Sequence, residues 1–258
     1  MSTNGNPNDL AGSVSVVTPT FNAAQVLTEA IRSVCAQTVP VLEHIVIDDG
    51  STDATREVVE ELQRTVPHLV YIRRPRENAA AARNAGIEAA RGTYIAFLDS
   101  DDFWLPRKIE RQLGFMRTRD CVFSYGSYVV RHRISGKTLR THQPPAMVGY
   151  RDLLRSCPVG CLTAAYNQEA LGKRYMPAVA RGQDWGLWLA LTRNGVRGMR
   201  YPGVEAVYVC GGESLSANKL SKGRDMYRIY RQYERFGRLR AFWHLARHSF
   251  YALGDGFP

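Results

Sequence analysis

Between residues 14 and 98 the chain presents four short apolar runs separated by three stretches with helical periodicity. The runs are residues 14–17, 44–47, 69–72 and 94–98, rich in Val, Ile, Tyr and Phe. The stretches between them carry Val26, Ala30, Ile31 and Val34, then Val58, Val59 and Leu62, then an Ala-rich segment at 78–91. Apolar residues at such spacing line one face of a helix, whereas short continuous apolar runs suit strands buried on both faces. Strand and helix repeated in this way predict an α/β fold with a doubly wound, mostly parallel sheet flanked by helices. Asp53, with Ser51 and Thr52, is expected to cap the second helix, and Gly92 to close the third in the C′ position.

The remaining composition narrows the class. With 258 residues, 45% of them hydrophobic, the chain builds a real core and is neither disordered nor low in complexity. No apolar run approaches the ~20 residues that span a bilayer. Residues 1–12 read as a polar tail without a secretory signal, and five scattered cysteines do not form a disulfide framework, so a reducing cytoplasm is expected. The net charge is +10, carried mainly by arginine, which suits phosphate-bearing partners.

Ligands of doubly wound sheets sit beyond the carboxyl ends of the strands. Here those ends read Thr18-Pro19-Thr20-Phe21-Asn22, Asp48-Asp49-Gly50-Ser51 and Asp99-Ser100-Asp101-Asp102. Turn formation accounts for Asp53 and Asp48. It accounts poorly for Asp99, Asp101 and Asp102, because the next helix starts only at Pro106. Carboxylates set side by side are costly without a compensating cation, and hard cations prefer carboxylate oxygens.

The segments VSVVTPTFN, IVIDDGSTD, ARNAGI and YIAFLDSDD, in this order and spacing, resemble the family 2 glycosyltransferases of GT-A fold. The resemblance is close over residues 14–117 and continues more loosely through Gln183-Asp184-Trp185 and Ser214-Leu215-Ser216. It implies a nucleotide-sugar donor, most simply UDP-linked, and a divalent cation, Mn²⁺ or Mg²⁺. It places Pro19 and Phe21 against the nucleobase, Asp49 at the base edge, Arg83 near the nucleotide, Asn84 under the adjacent loop and Asp99 near the ribose. Asp101 would hold the ion, with Asp102 as a neighbour. Asp184 would be the catalytic base of an inverting transfer, although Gln183 stands where the family usually has an acid.

The family implies a division into a nucleotide-sugar half at 13–120 and an acceptor-binding, catalytic half at 121–221, followed by basic amphipathic helices at 222–258. The second half looks irregular, with extended pieces at 121–130 and 134–139, short helices at 150–156 and 168–172, and a stronger helix at 182–193. Tyr125, Tyr128, Tyr166, Trp185 and Trp188 are expected in the core more than against a sugar. Cys157 and Cys161 read as buried thiols, and His244 and His248 lack the partners of a zinc site. Arg224, Arg228, Arg231, Arg235 and Arg238 would form one stripe on a continuous helix. Leu239, Phe242, Trp243, Ala246 and Phe250 would form a separate apolar face beyond it. A basic stripe beside aromatics suits an anionic membrane surface. The acceptor is expected to be a saccharide or lipid-linked, the location cytoplasmic or peripheral on the inner membrane face, and nucleic acid is not an expected partner. Two other readings are a sugar-phosphate nucleotidyltransferase, which the loop after the first strand disfavours, and a surface-binding protein with a vestigial site.

Overall fold

A computed structural model describes residues 13–211 and 219–254. The predicted alternation forms β1 (Val14–Thr20), α1 (Leu27–Cys35), β2 (Glu43–Asp48), α2 (Thr55–Gln63), β3 (Leu69–Arg73), α3 (Ala79–Ala89) and β4 (Tyr94–Phe97). β1 pairs in parallel with β2 and with β4, and β2 with β3, giving the order β3-β2-β1-β4. The chain leaves β1 for β2 on one side and returns as β4 on the other. The crevice at the carboxyl ends of β1 and β4 is therefore the topological switch point, where such sheets bind ligands.

Every residue of β1 is buried because both faces are covered. Val14 and Val16 pack with Ala30 and Val34 of α1, while Val17 packs with Ala82 and Ile87 of α3. The small residues of α3 permit that approach, since a Cβ at Gly86 would collide with Val17. Asn78 caps α3, its side chain accepting from the Ala81 N–H at 3.0 Å. The other end departs from expectation. α3 ends in extended backbone at Ala90, and Gly92 does not adopt the left-handed C′ conformation. Gly92 lies instead against β1, where a Cβ would sit 2.7 Å from the Ser15 backbone nitrogen. Asp53 accepts from the Thr55 N–H at 3.0 Å and from the Ala24 N–H at 3.2 Å, so it ties the start of α2 to the loop after β1.

The second half is more regular than its sequence suggests. It supplies β5 (Phe103–Trp104), α4 (Lys108–Thr118), β6 (Phe123–His132), β7 (Thr138–His142), β8 (Met147–Val148), α5 (Tyr150–Leu153), β9 (Ala165–Asn167), α6 (Gln168–Leu171), α7 (Gln183–Thr192) and β10 (Gly198–Cys210). β9 joins β4 to β6, and β6 pairs in parallel with β10, so the sheet continues from the first half into the second as β3-β2-β1-β4-β9-β6-β10-β5. Its long ladders are parallel.

α7 is buried nearly all round, and Trp188 packs between Phe97 and Phe123. Tyr125, Tyr166, Trp185 and Trp188 are core residues, and only Tyr128 keeps partial exposure. Cys161 is buried and Cys157 partly so.

The C-terminal segment is not one helix. α8 (Lys219–Arg228) runs into a single π-helical stretch at Ile229–Tyr233, and a turn with Arg235 in left-handed conformation (φ 56°) precedes α9 (Arg238–Gly254). The expected arginine stripe is broken at that turn. Arg231 is folded inward onto the Phe236 carbonyl. His244 and His248 pack as rings against Tyr230, Phe236 and Trp185. The Ser214-Leu215-Ser216 segment and the side chain of Phe250 lie outside the described residues.

Candidate active site

The loops after β1, β2 and β4 meet at the switch point. After β1, Asn22 turns the chain with a left-handed backbone (φ 49°), and its side-chain oxygen accepts from the Thr52 N–H at 2.9 Å. Its own N–H donates to Ser51 at 2.9 Å, so the first two loops are stitched together. Pro19 is buried in the β1 ladder opposite Ile47, whereas Phe21 is 40% exposed. Of these two expected nucleobase contacts, Phe21 alone presents its ring to solvent.

Asp49 follows β2 and is buried. Its carboxylate accepts from the Glu77 N–H at 3.0 Å and pairs with Arg76 at 3.2 Å. The Arg76 guanidinium also lies 3.2 Å from the centroid of the Phe21 ring. Gly50 makes this turn possible. Its φ is +78°, and a Cβ there would lie 2.9 Å from the Arg76 backbone nitrogen. Arg76 thus covers one side of the Phe21 ring and ties it to the Asp49 carboxylate. Arg76 escaped the sequence reading because it belongs to a loop with no periodicity.

The acidic turn after β4 splits into different environments. Asp99 pairs with Arg83 of α3, which is itself buried. Arg83 also donates to the Gln183 side-chain oxygen at 3.2 Å. Despite burial, Arg83 stays firmly protonated, held by the charge and hydrogen bond of Asp99 and by Asp184. Asp101 is more exposed and pairs with Arg133 of the segment after β6 at 3.3 Å. Removal from water and the neighbouring Asp99 push the Asp101 carboxyl above its ordinary range, against the pull of Arg133. Asp102 turns away into the core, where it accepts from the Val209 N–H of β10 at 2.9 Å. It serves there as a tie between the acidic turn and the far half of the sheet. Its position next to Asp101 in sequence does not make it a second surface acid.

Asp184 lies in the first turn of α7, partly buried. Burial raises its carboxyl above the ordinary value, and the Arg83 charge opposes that rise. Where the family resemblance leads one to expect an acid at Gln183, a neutral amide accepts from Arg83 and leaves the guanidinium charge to Asp99 and Asp184. Asn84 fixes the approach to α7, exchanging hydrogen bonds with the Met176 backbone at 2.7 and 2.9 Å. The fold therefore brings Arg83, Asp99 and Asp184, far apart in sequence, into one electrostatic cluster. Phe21 and Asp49 form a second cluster with Arg76 on the same sheet edge.

The profile of the family described as Glycosyl transferase family 2 matches residues 15–173. TuaG of Bacillus subtilis (strain 168), whose name assigns it to teichuronic acid biosynthesis, is 35% identical over 232 residues, 89% of this chain and 92% of its own. WfgD of Escherichia coli, named a UDP-Glc:alpha-D-GlcNAc-diphosphoundecaprenol beta-1,3-glucosyltransferase, is 33% identical over 212 residues, 81% of either chain. Among solved structures, S. aureus TarS 1-349 in complex with UDP-GlcNAc is similar with a TM-score of 0.73 over 94% of this chain and 73% of that one, at 19% identity. The mannosyltransferase PcManGT of Pyrobaculum calidifontis, in complex with GDP-Man and Mn2+, is similar with a TM-score of 0.64 over 96% of this chain and 77% of that one, also at 19% identity. These structural likenesses carry the fold, which is GT-A. The family profile and the full-length relatives carry more: the chain is a glycosyltransferase and belongs to glycosyl transferase family 2.

Proposed function

We propose that the chain moves a sugar from a UDP-linked donor to a hydroxyl of a saccharide or lipid-linked acceptor, with inversion, in the synthesis of a cell-surface polysaccharide or glycolipid. The observation that carries this reading is the position of Arg83. It bonds both to Asp99 of the acidic turn and to Gln183 beside Asp184, so the donor half (13–120) and the acceptor half (121–221) share one buried cation. Family membership sets aside the nucleotidyltransferase reading.

In this reading Phe21 stacks on the nucleobase and Pro19 backs it from within β1. Asp49 accepts from the base edge. A carboxylate has no proton to donate, so it suits the imide N–H of uracil, and its lone pairs are not exhausted by Glu77 and Arg76. The UDP-Glc in the name of WfgD agrees with that choice.

A divalent cation, Mn²⁺ or Mg²⁺, fits the residues present. Asp99 and Asp101 offer oxygen donors on one turn, and they repel one another. Among the described residues no cluster of three His, Cys, Asp or Glu side chains forms a closed metal site. Asp101 would hold the ion, with Asp99 beside it. Such an ion, when bound, offsets charge on the leaving diphosphate.

The chain's own residues do the rest. Arg83 adds a fixed positive charge beside Asp99. Asp184 takes the proton from the acceptor hydroxyl as its oxygen bonds to the anomeric carbon, while the electron pair of the breaking C1–O bond leaves with the diphosphate. Burial raises its pKa, which makes it a stronger base than an ordinary carboxylate. A lipid-linked acceptor would place the chain on the cytoplasmic face of the membrane. No helix among the described residues is long and apolar enough to cross a membrane.

The test is release of nucleoside diphosphate from UDP- and GDP-linked sugars, followed by proton NMR of the product. Turnover with UDP-sugars and the opposite anomeric configuration are expected. Retained configuration, or preference for the GDP series, would overturn the mechanism or the donor assignment respectively.

A further inference from the structure

α9 carries apolar residues on the face that meets the core and on the face that does not. Ala241, His244 and His248 are turned into the core, His244 stacking on Tyr230 and Phe236 and His248 lying edge-on to Trp185. Leu245 packs against the core with them, yet three large apolar residues point outward: Leu239 is 89% exposed, Phe242 66% and Trp243 54%. Their i, i+3, i+4 spacing puts them on one face. Leaving three large apolar side chains together in water is unfavourable, so the outward face calls for a partner.

The charges around this face identify that partner. Arg235, Arg238 and Arg240 are exposed at its N-terminal end, and Arg247 lies 4.8 Å from the centroid of the Trp243 ring. The neighbouring acids are turned away. Asp225 accepts from the Arg181 N–H at 3.1 Å, and Glu234 is paired with Arg193 at 2.8 Å and accepts from the Tyr150 hydroxyl. Arg235, Arg238 and Arg240 make no ion pair among the described residues, so this end of the rim is cationic. A second copy of the chain fits badly, because a two-fold contact sets these arginines near their own images. Three apolar side chains are also few for the ~800 Å² per partner of a stable protein interface.

We propose that this face of α9 seats on an anionic lipid bilayer. Leu239, Phe242 and Trp243 enter the boundary between headgroups and acyl chains, and Arg235, Arg238 and Arg240 meet the lipid phosphates. The apolar face expected from sequence is kept at Leu239, Phe242 and Trp243, while the basic stripe contracts to Arg235 and Arg238, joined by Arg240. The consequence for the site rests on the proposed function: Trp185, next to Asp184, packs on His248, so a docked α9 would hold α7 close to the bilayer and to a lipid-linked acceptor.

The experiment is co-sedimentation of the full chain with vesicles of phosphatidylcholine alone or mixed with phosphatidylglycerol, without donor or acceptor, so that it reads docking independently of sugar transfer. Binding to the mixed vesicles only, weakening with salt, is expected. Trp104, Trp185 and Trp188 are buried, so Trp243 is the exposed indole, and acyl-brominated lipid should quench its emission. The variant Leu239→Ser/Phe242→Ser should lose binding with an unchanged melting curve, because both side chains are exposed. The variant Arg235→Gln/Arg238→Gln/Arg240→Gln should lose about fivefold in partition per arginine. Equal binding to neutral vesicles, no quenching of the wild-type chain, or dimerisation abolished by the serine variant would each overturn the proposal.

Discussion

Arg133 crosses the acidic turn to pair with Asp101, its Nη2 standing 3.3 Å from the carboxylate Oδ2. An arginine thus occupies the carboxylate proposed to hold the metal ion, and cation and guanidinium compete for the same oxygens. Both side chains are partly exposed, so the pair is worth about 1 kcal/mol or less. Arg133→Gln should tighten Mn²⁺ binding in the absence of nucleotide by up to about fivefold, read by calorimetry. Asp101→Ala should make UDP affinity independent of Mn²⁺. Unchanged metal dependence in that variant would remove Asp101 from the donor site.

Asp184→Asn should separate binding from chemistry. The amide cannot accept the acceptor's proton, so kcat should fall about 10²–10⁴-fold while donor affinity is kept. The wild-type pH profile should have an acidic limb above the ordinary carboxylate range, because burial raises the Asp184 pKa and activity is lost as pH falls through it. Arg83 opposes that rise, so Arg83→Met should shift the limb to higher pH. A limb that stays in place would show that the two groups are not coupled.

The nucleobase cluster should affect affinity rather than rate. Phe21→Ala and Arg76→Ala each remove part of a contact made equally in ground and transition states. Donor KM should rise with kcat nearly unchanged. A fall in kcat at saturating donor would assign these residues a role in the chemical step.

His44 provides a pH test of stability away from the site. It is buried in β2, bonded to Thr18 at 2.8 Å, and burial lowers its pKa from 6.5 to about 3. With the folded value depressed, the stabilisation is present above pH 6.5 and is lost as pH falls toward 3. The slope is at most about 1.4 kcal/mol per pH unit. Denaturant titrations between pH 7 and 4 should show this slope, and His44→Gln should flatten it.

How much of this was legible in the sequence depended on the range of the interactions. β1 to β4, their helices and the acidic turns at their ends follow from local periodicity and turn chemistry, and the structure places them where the residues predict. The family followed from four motifs in register, a property of sequence order. The continuation of the sheet through β9, β6 and β10 was hidden, because β9 spans only Ala165–Asn167 and is defined by its neighbours β4 and β6. Gly92 shows the same limit: a local rule predicted a helix cap, while contact with Ser15 decided its place.

The site divides in the same way. Sequence alone put carboxylates at the sheet edge, since strand ends and turns are local. Tertiary packing alone decided that Asp102 points into the core toward Val209, that Arg76 covers Phe21, and that Arg83 joins Asp99 to the start of α7. It also decided that α9 turns its histidines inward and its aromatics outward. The side-chain period marks the faces of a helix but not which face meets the core. That choice is made by the shape and polarity of the surface it lands on, here the rings of Trp185, Tyr230 and Phe236.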